Sequence, residues 1–274
     1  MRKIAFPMMG DYFIPINYFL KNTTKSEIIK PPVITSKTIE LGNKYSPTFV
    51  CMPFKYTLGT MIECLEGGAN VIAQAGGGCR YGYYSELQER ILRDLGYKFT
   101  IINFVTEGHT DLKRLKKEFL KIEKHPNYFR IIKYGIITRY MIKYMDKLDE
   151  YIRSNIGFEV NKNSFIKKKK EILNKFSSVN SLFKLRKIYK KGFKELKKIK
   201  INKPKNPLSV GIIGELYTVM EPFSNYFLER TLASYNIQIK RFTNVDYLLF
   251  RKGKEIKKLI KTVREYIKYK MGAD

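Results

Sequence analysis

Between Lys3 and Phe104, short apolar runs of strand type alternate with helix-periodic segments, and glycine or proline stands at most of the change-overs. Lys3–Phe6 is strand-like and stops at Pro7 and Gly10, and Tyr12–Leu20 then has helical spacing, with Phe13, Ile16, Tyr18 and Leu20 apolar. Glu27–Ile29 is a second strand candidate closed by Pro31-Pro32, and Thr35 or Ser36 is placed to cap a helix running to about Tyr45. Phe49-Val50-Cys51-Met52-Pro53 is an apolar, strand-like run that ends in a loop. From Tyr56, Leu58, Met61, Ile62 and Leu65 share one helical face until Gly67-Gly68. Asn70–Gln74 reads as a strand, Gly76-Gly77-Gly78-Cys79-Arg80 as a loop, Gly82–Leu95 as a helix closed by Gly96, and Tyr97–Phe104 as another strand. Strands and helices alternating at this spacing imply βαβ units on a largely parallel sheet, which makes residues 1–105 one α/β lobe.

The next segment changes character. From Asp111 to about Lys200 the chain is helix-periodic, lysine-rich and poor in glycine, with Leu112, Leu115, Phe119 and Ile122 on one stripe. Residues 106–205 are therefore expected to be a helical insertion or bridge, ending in a linker that holds Pro204 and Pro207. Ser209–Ile213 restarts the α/β pattern, with a Gly214-Glu215 turn, a helix near Pro222–Ser234, a strand at Ile237–Arg241 and a last helix over Glu255–Tyr269. Residues 206–274 hold only two clear strands, so the second lobe reads as partial.

The chain has 274 residues, 44% of them hydrophobic, which suffices for real cores and excludes a disordered tail. No run approaches the roughly 18 apolar residues of a membrane span, and Pro7 cuts short the apolar stretch at the N-terminus, so neither a membrane protein nor a signal peptide is expected. The expectation is a cytoplasmic protein. Lys+Arg 53 against Asp+Glu 25 gives +28, a balance that invites nucleic acid as a partner. Much of the excess lies between Lys113 and Lys205, where such lysines more often form the solvated faces of amphipathic helices, and the Ile, Lys, Tyr and Asn usage points to an AT-rich genome. Tyr128, Phe129, Tyr134, Tyr140 and Tyr144 interleave with this charge and could stack on bases, but their near-helical spacing favours a core role.

The three cysteines, Cys51, Cys64 and Cys79, are odd in number, and in a reducing compartment a structural disulfide is not expected. Metal ligation, redox chemistry and core packing remain open, and with only His109 and His125 a histidine-rich zinc site is nearly excluded. Cys51 and Cys79 each follow a strand-like run and precede a helix, the position at which parallel sheets bind ligands. A helix N-terminus favours thiolate there. Gly76-Gly77-Gly78 allows close backbone approach and supplies N–H donors to a bulky cluster. The competing reading is a phosphate loop, although neither Gly-Lys-Ser/Thr nor a third spaced glycine is present. Cys64, beside Leu65 within a helix, reads as a small hydrophobe.

Four segments resemble one family. They are Ile4-Ala5-Phe6-Pro7-Met8-Met9-Gly10-Asp11-Tyr12, Ser46-Pro47-Thr48-Phe49-Val50-Cys51-Met52-Pro53-Phe54-Lys55, Gly76-Gly77-Gly78-Cys79-Arg80-Tyr81-Gly82-Tyr83-Tyr84, and Val210-Gly211-Ile212-Ile213-Gly214-Glu215-Leu216-Tyr217 with Glu221-Pro222. The family is that of the 2-hydroxyacyl-CoA dehydratase D-component-like and CoA-protein activase-related proteins, which includes the double-cubane iron–sulfur cluster proteins. The resemblance implies two flavodoxin-like, Rossmann-type parallel-sheet lobes with an oxygen-sensitive iron–sulfur cluster, 4Fe-4S or double-cubane, between them. It also implies an ATP-hydrolysing activase partner that carries its own cluster and feeds in low-potential electrons for a dehydratase or reductase. Carried over by residue, Cys51 and Cys79 match cluster ligands, Gly77 and Gly78 the cluster loop, and Lys55, Arg80 and Tyr83 the site lining, with Glu215 facing it from the second lobe.

The family pattern continues into a C-terminal stretch with another ligand cysteine in a Pro-Phe-Gly-Cys-Met-Pro-Glu-like motif, which this sequence lacks, and relatives often carry a further cysteine in the glycine loop. A split or truncated member, completed by a second chain that supplies the missing part, is therefore expected, or else a member that has lost its cluster; a homodimer is a further partner expectation. The alternatives are a non-catalytic scaffold that docks an activase, and a basic nucleic-acid-binding protein.

Overall fold

The computed structural model describes residues 1–74, 81–104, 112–241 and 243–246. Its N-terminal part is α/β: β1 (Lys3–Ala5), α1 (Phe13–Thr23), β2 (Glu27–Ile28), α2 (Ser36–Tyr45), α3 (Met52–Glu66), β3 (Val71–Gln74), α4 (Tyr81–Asp94) and β4 (Thr100–Asn103). The strands form one parallel sheet in the order β2-β1-β3-β4. The central strands β1 and β3 and the inner residues of β4 are apolar on both sides because each side is covered by helices, while the edge strand β2 exposes Glu27. Ile4, Val71, Ala73 and Ile102 face a layer holding Leu20 of α1, and Ala5, Ile72 and Ile101 face one built on α3 and α4. This two-sided burial is what a parallel sheet requires and explains why β3 reads Val-Ile-Ala-Gln with all four residues buried.

Four helices follow, α5 (Leu112–Leu120), α6 (Tyr128–Asn155), α7 (Ser164–Phe176) and α8 (Leu182–Lys197). The second parallel unit pairs β5 (Ser209–Ile212) with β6 (Gln238–Arg241) through the short helices α9 (Leu216–Met220) and α10 (Leu228–Ser234). The helical segment is more than a bridge. A single apolar cluster runs from Tyr18 of α1 through Met141, Met145 and Ile152 of α6 to Ile212 and Ile239 of the second sheet. At 28 residues, α6 spans about 42 Å at 1.5 Å per residue, long enough to reach both sheets.

Several elements differ from the sequence expectation. Phe49–Cys51 is a loop and not a strand: Pro47 and Pro53 flank it, Phe49 is 83% exposed, and the helix begins at Met52. The helix expected over Pro222–Ser234 is confined to α10, which starts only at Leu228; Pro222–Phe227 are turns, with Tyr226 and Phe227 in left-handed backbone (φ 54° and 56°), and α9 ends at Met220, before the expected span. The strand expected over Tyr97–Phe104 is confined to β4. The helix expected over Glu255–Tyr269 lies outside the described residues. Of the five aromatics proposed for base stacking, Tyr134 and Tyr144 pack against the core, whereas Phe129 is 90% exposed.

Candidate functional site

In a parallel sheet the strand-to-helix loops gather at the carboxyl edge, and two helix starts meet there beside β3. Gln88 of α4, fully buried, makes the connection. Its Nε2 donates to Thr57 Oγ1 (2.7 Å) and to the Phe54 carbonyl (3.2 Å), while its Oε1 accepts from Gln74 Nε2 (2.7 Å), the last residue of β3. The first turns of α3 and α4 are thus fixed against the end of β3.

Cys51 is the N-cap of α3, with extended backbone (φ −71°, ψ 161°), and Pro53 presets the first helical turn. Its thiol is free and exposed, 3.2 Å from the Tyr84 hydroxyl. Tyr84 is itself held, its ring edge-on to Phe54 with centroids 4.7 Å apart. Cys64 contrasts with Cys51. It lies in the α3 core at 1% exposure, and burial pushes its thiol up to about 12, so it stays protonated and packs as a small apolar side chain.

The remaining expected site residues divide. Cys79, Gly77, Gly78 and Arg80 lie outside the described residues, as do Ala75 and Gly76. Tyr83 is exposed on the first turn of α4, next to Tyr84, and Lys55 is half-buried on the first turn of α3. Glu215 has a local task. Its carboxylate caps α9, accepting from the Tyr217 N–H (3.1 Å), the Thr218 N–H (3.0 Å) and the Thr218 hydroxyl (3.1 Å). The second parallel unit does reach α3 at this point, since Tyr217 stacks on Tyr56 (5.8 Å) and donates to the Met8 carbonyl (3.0 Å).

Glu221 acts likewise as a clamp. Its carboxylate, raised in pKa by burial, accepts from the Gly10 N–H (2.6 Å) and the Phe223 N–H (3.3 Å). Gly10 has φ +46°, and a Cβ there would lie 2.9 Å from the Met220 carbonyl oxygen, so glycine alone suits this crossing.

Sequence reasoning missed a second charged cluster, centred on α6. Lys169 of α7 pairs with Asp11 (2.6 Å) and Asp149 (2.6 Å), and Asp146 accepts from the Tyr12 hydroxyl and the Asp246 N–H. Arg153 and Arg241 lie beside them, and Arg241 pairs with Glu229. The readable signal was Asp146 and Arg153, charged residues standing at positions of the apolar α6 stripe beside Ile142 and Ile152.

Among the described residues no group of three or more His, Cys, Asp or Glu side chains could hold a metal ion, and no helix is long and apolar enough to cross a membrane. One exposed thiol is supplied by the described residues; with Cys79 the candidates number two, whereas a 4Fe-4S cluster takes four thiolates. The cluster fits this chain's cysteines only as a shared one. No protein-family model matches the chain, and comparison with curated proteins gives no match.

Proposed function

We propose that the chain is one contributor to a thiolate-ligated iron–sulfur site and works as an electron-transfer component, the remaining ligands coming from a second chain or a second copy. The observation that carries this reading is Cys51, a free exposed thiol at a helix N-terminus on the carboxyl edge of a parallel sheet. The strand order β2-β1-β3-β4 supports a flavodoxin-like lobe, whose switch point between β1 and β3 is where such sheets bind ligands. In the sequence Cys79 stands two residues before Tyr81, the first residue of α4, and Tyr84 ties the start of α4 to Cys51. An ATP-hydrolysing activase as electron donor belongs to this reading through the family resemblance, as does a cytoplasmic location.

Anaerobic reconstitution with iron and sulfide tests it, on the natural chain and on Cys51→Ser, Cys79→Ser and Cys64→Ser. Bound iron is expected in the natural chain and in Cys64→Ser, with loss in the other two. Iron binding indifferent to Cys51 and Cys79 would falsify the assignment.

A further inference from the structure

A cavity of about 640 Å³ lies where α6 and α7 meet the second parallel unit. This volume falls within the roughly 300–1,000 Å³ of small-molecule pockets. Its walls are largely apolar, with Ile152, Ile166, Met220, Phe227 and Ile239 among them. Among the described residues the charged side chains in the lining are five cations and four carboxylates. The carboxylates are all engaged: Asp11 and Asp149 with Lys169, Glu229 with Arg241, and Glu159 with the backbone N–H groups of Asn163 and Phe165 at the start of α7.

Arg153 is different. It is 5% exposed, its Nε is buried without a hydrogen-bond partner, and among the described residues its side chain enters no ion pair. The Arg241 side chain, also 5% exposed, spends Nη1 on Glu229 and the Val219 carbonyl (2.7 Å), and its Nε too is buried without a partner. The two guanidinium groups are close enough to repel, and they also line a neighbouring cavity of about 240 Å³ together with Lys240. A guanidinium does not shed its proton in a protein, so burial leaves two converging cations with donors to spare. Such a pair matches an oxyanion, whose two oxygens accept from planar N–H forks.

We propose that this cavity binds a small organic anion, an apolar body bearing one carboxylate, with the carboxylate held between Arg153 and Arg241. A single negative charge balances the one excess cation in the lining, whereas a phosphate dianion would exceed it beside Asp149 and Glu229. The apolar walls select the body of the ligand. This site does not depend on the thiol reading, since among the described residues Cys51, Lys55, Tyr83 and Glu215 do not line it.

The test is calorimetric titration of the full chain with octanoate, octan-1-ol and inorganic phosphate. Octanoate is expected to bind at one per chain, more tightly than the other two, with affinity at least about tenfold weaker in Arg153→Met, the effect of losing a charge-assisted hydrogen bond. Octanoate binding no tighter than octan-1-ol, or unchanged in Arg153→Met, overturns the site. Phosphate binding tighter than octanoate overturns the carboxylate assignment. Ile166→Trp, which leaves both arginines in place and puts an indole into the apolar wall, is expected to weaken octanoate binding several-fold even if Arg153→Met does not fold. Unchanged octanoate affinity in Ile166→Trp overturns the proposal.

Discussion

Asp146 holds two backbone segments together from the middle of α6. One carboxylate oxygen accepts the Tyr12 hydroxyl, and the other accepts the Asp246 N–H at 2.7 Å. Burial raises its pKa from 3.8 to about 6, and the two hydrogen bonds only partly offset that. The folded state therefore binds this proton more tightly than the unfolded chain, so the group's contribution to stability falls as pH rises from about 3.8 to about 6 and is level above. Asp146→Asn removes this dependence. Its stability relative to the natural chain, followed by urea denaturation, is expected to rise across that window by about 3 kcal/mol and then stay constant. A difference that is flat from pH 4 to pH 7 would contradict the assignment. The same contrast of environment separates Cys51 from Cys64. Sequence reasoning distinguished the two correctly because Cys64 lies on the apolar α3 stripe, while Cys51 stands among prolines.

Helices α2 and α3 show how much of an element's packing escapes periodicity. They approach so closely that a Cβ on Gly42 would lie 2.0 Å from the Lys55 carbonyl oxygen, and one on Gly59 would lie 1.9 Å from that of Thr38. Both obstacles are backbone, which cannot swing aside. Gly59→Ala is expected to cost about 3 kcal/mol or more in denaturant unfolding, through forced separation of the helices. Gly68→Ala provides the comparison: no atom lies within 4 Å of its Cβ position, and its cost comes from φ +90° alone. Helices and strands of the first lobe were legible because apolar spacing and glycine or proline breaks agree there. The Phe49–Cys51 run was misread because aromatic and β-branched residues favour strands, while Pro47 and Pro53 on either side leave a loop. The late start of α10, at Leu228 and not Pro222, was illegible because Tyr226 and Phe227 carry no residue-type signal for left-handed backbone.

At the scale of the molecule, the lysine-rich segment is built into the core instead of standing apart. Lys169 illustrates it. Burial alone would pull its ammonium pKa down, but Asp149 and Asp11 more than reverse that, so the charge persists while joining the loop after β1 to α6 and α7. Within the Lys167–Lys170 run helical spacing sets Lys169 apart from exposed Lys170, four residues after Phe165 and three before Ile172 on the buried stripe of α7, but only the tertiary arrangement places Asp11 opposite it. Lys169→Met, leaving two carboxylates without their cation, is expected to lower unfolding free energy by about 3 kcal/mol. Lys170→Met is expected to change it by no more than about 0.5 kcal/mol. Equal effects would mean that the Asp11–Lys169–Asp149 link contributes nothing to holding the parts together. Of the candidate thiol edge, the position of Cys51 at a helix start was legible, although the strand expected before it is a loop. The arginine-lined cavity was not, because Arg153 and Arg241 are 88 positions apart and meet only after α6 packs on β6.

The central claim, that Cys51 is a metal-ligating thiolate, is tested most directly by thiol footprinting. The chain is alkylated under native conditions before and after anaerobic reconstitution with iron and sulfide, and each cysteine is read by mass spectrometry. The account predicts that Cys51 alkylates readily in the metal-free chain and is protected after reconstitution, together with Cys79, while buried Cys64 stays unreactive in both. Cys51 alkylating equally fast with and without iron and sulfide would contradict it.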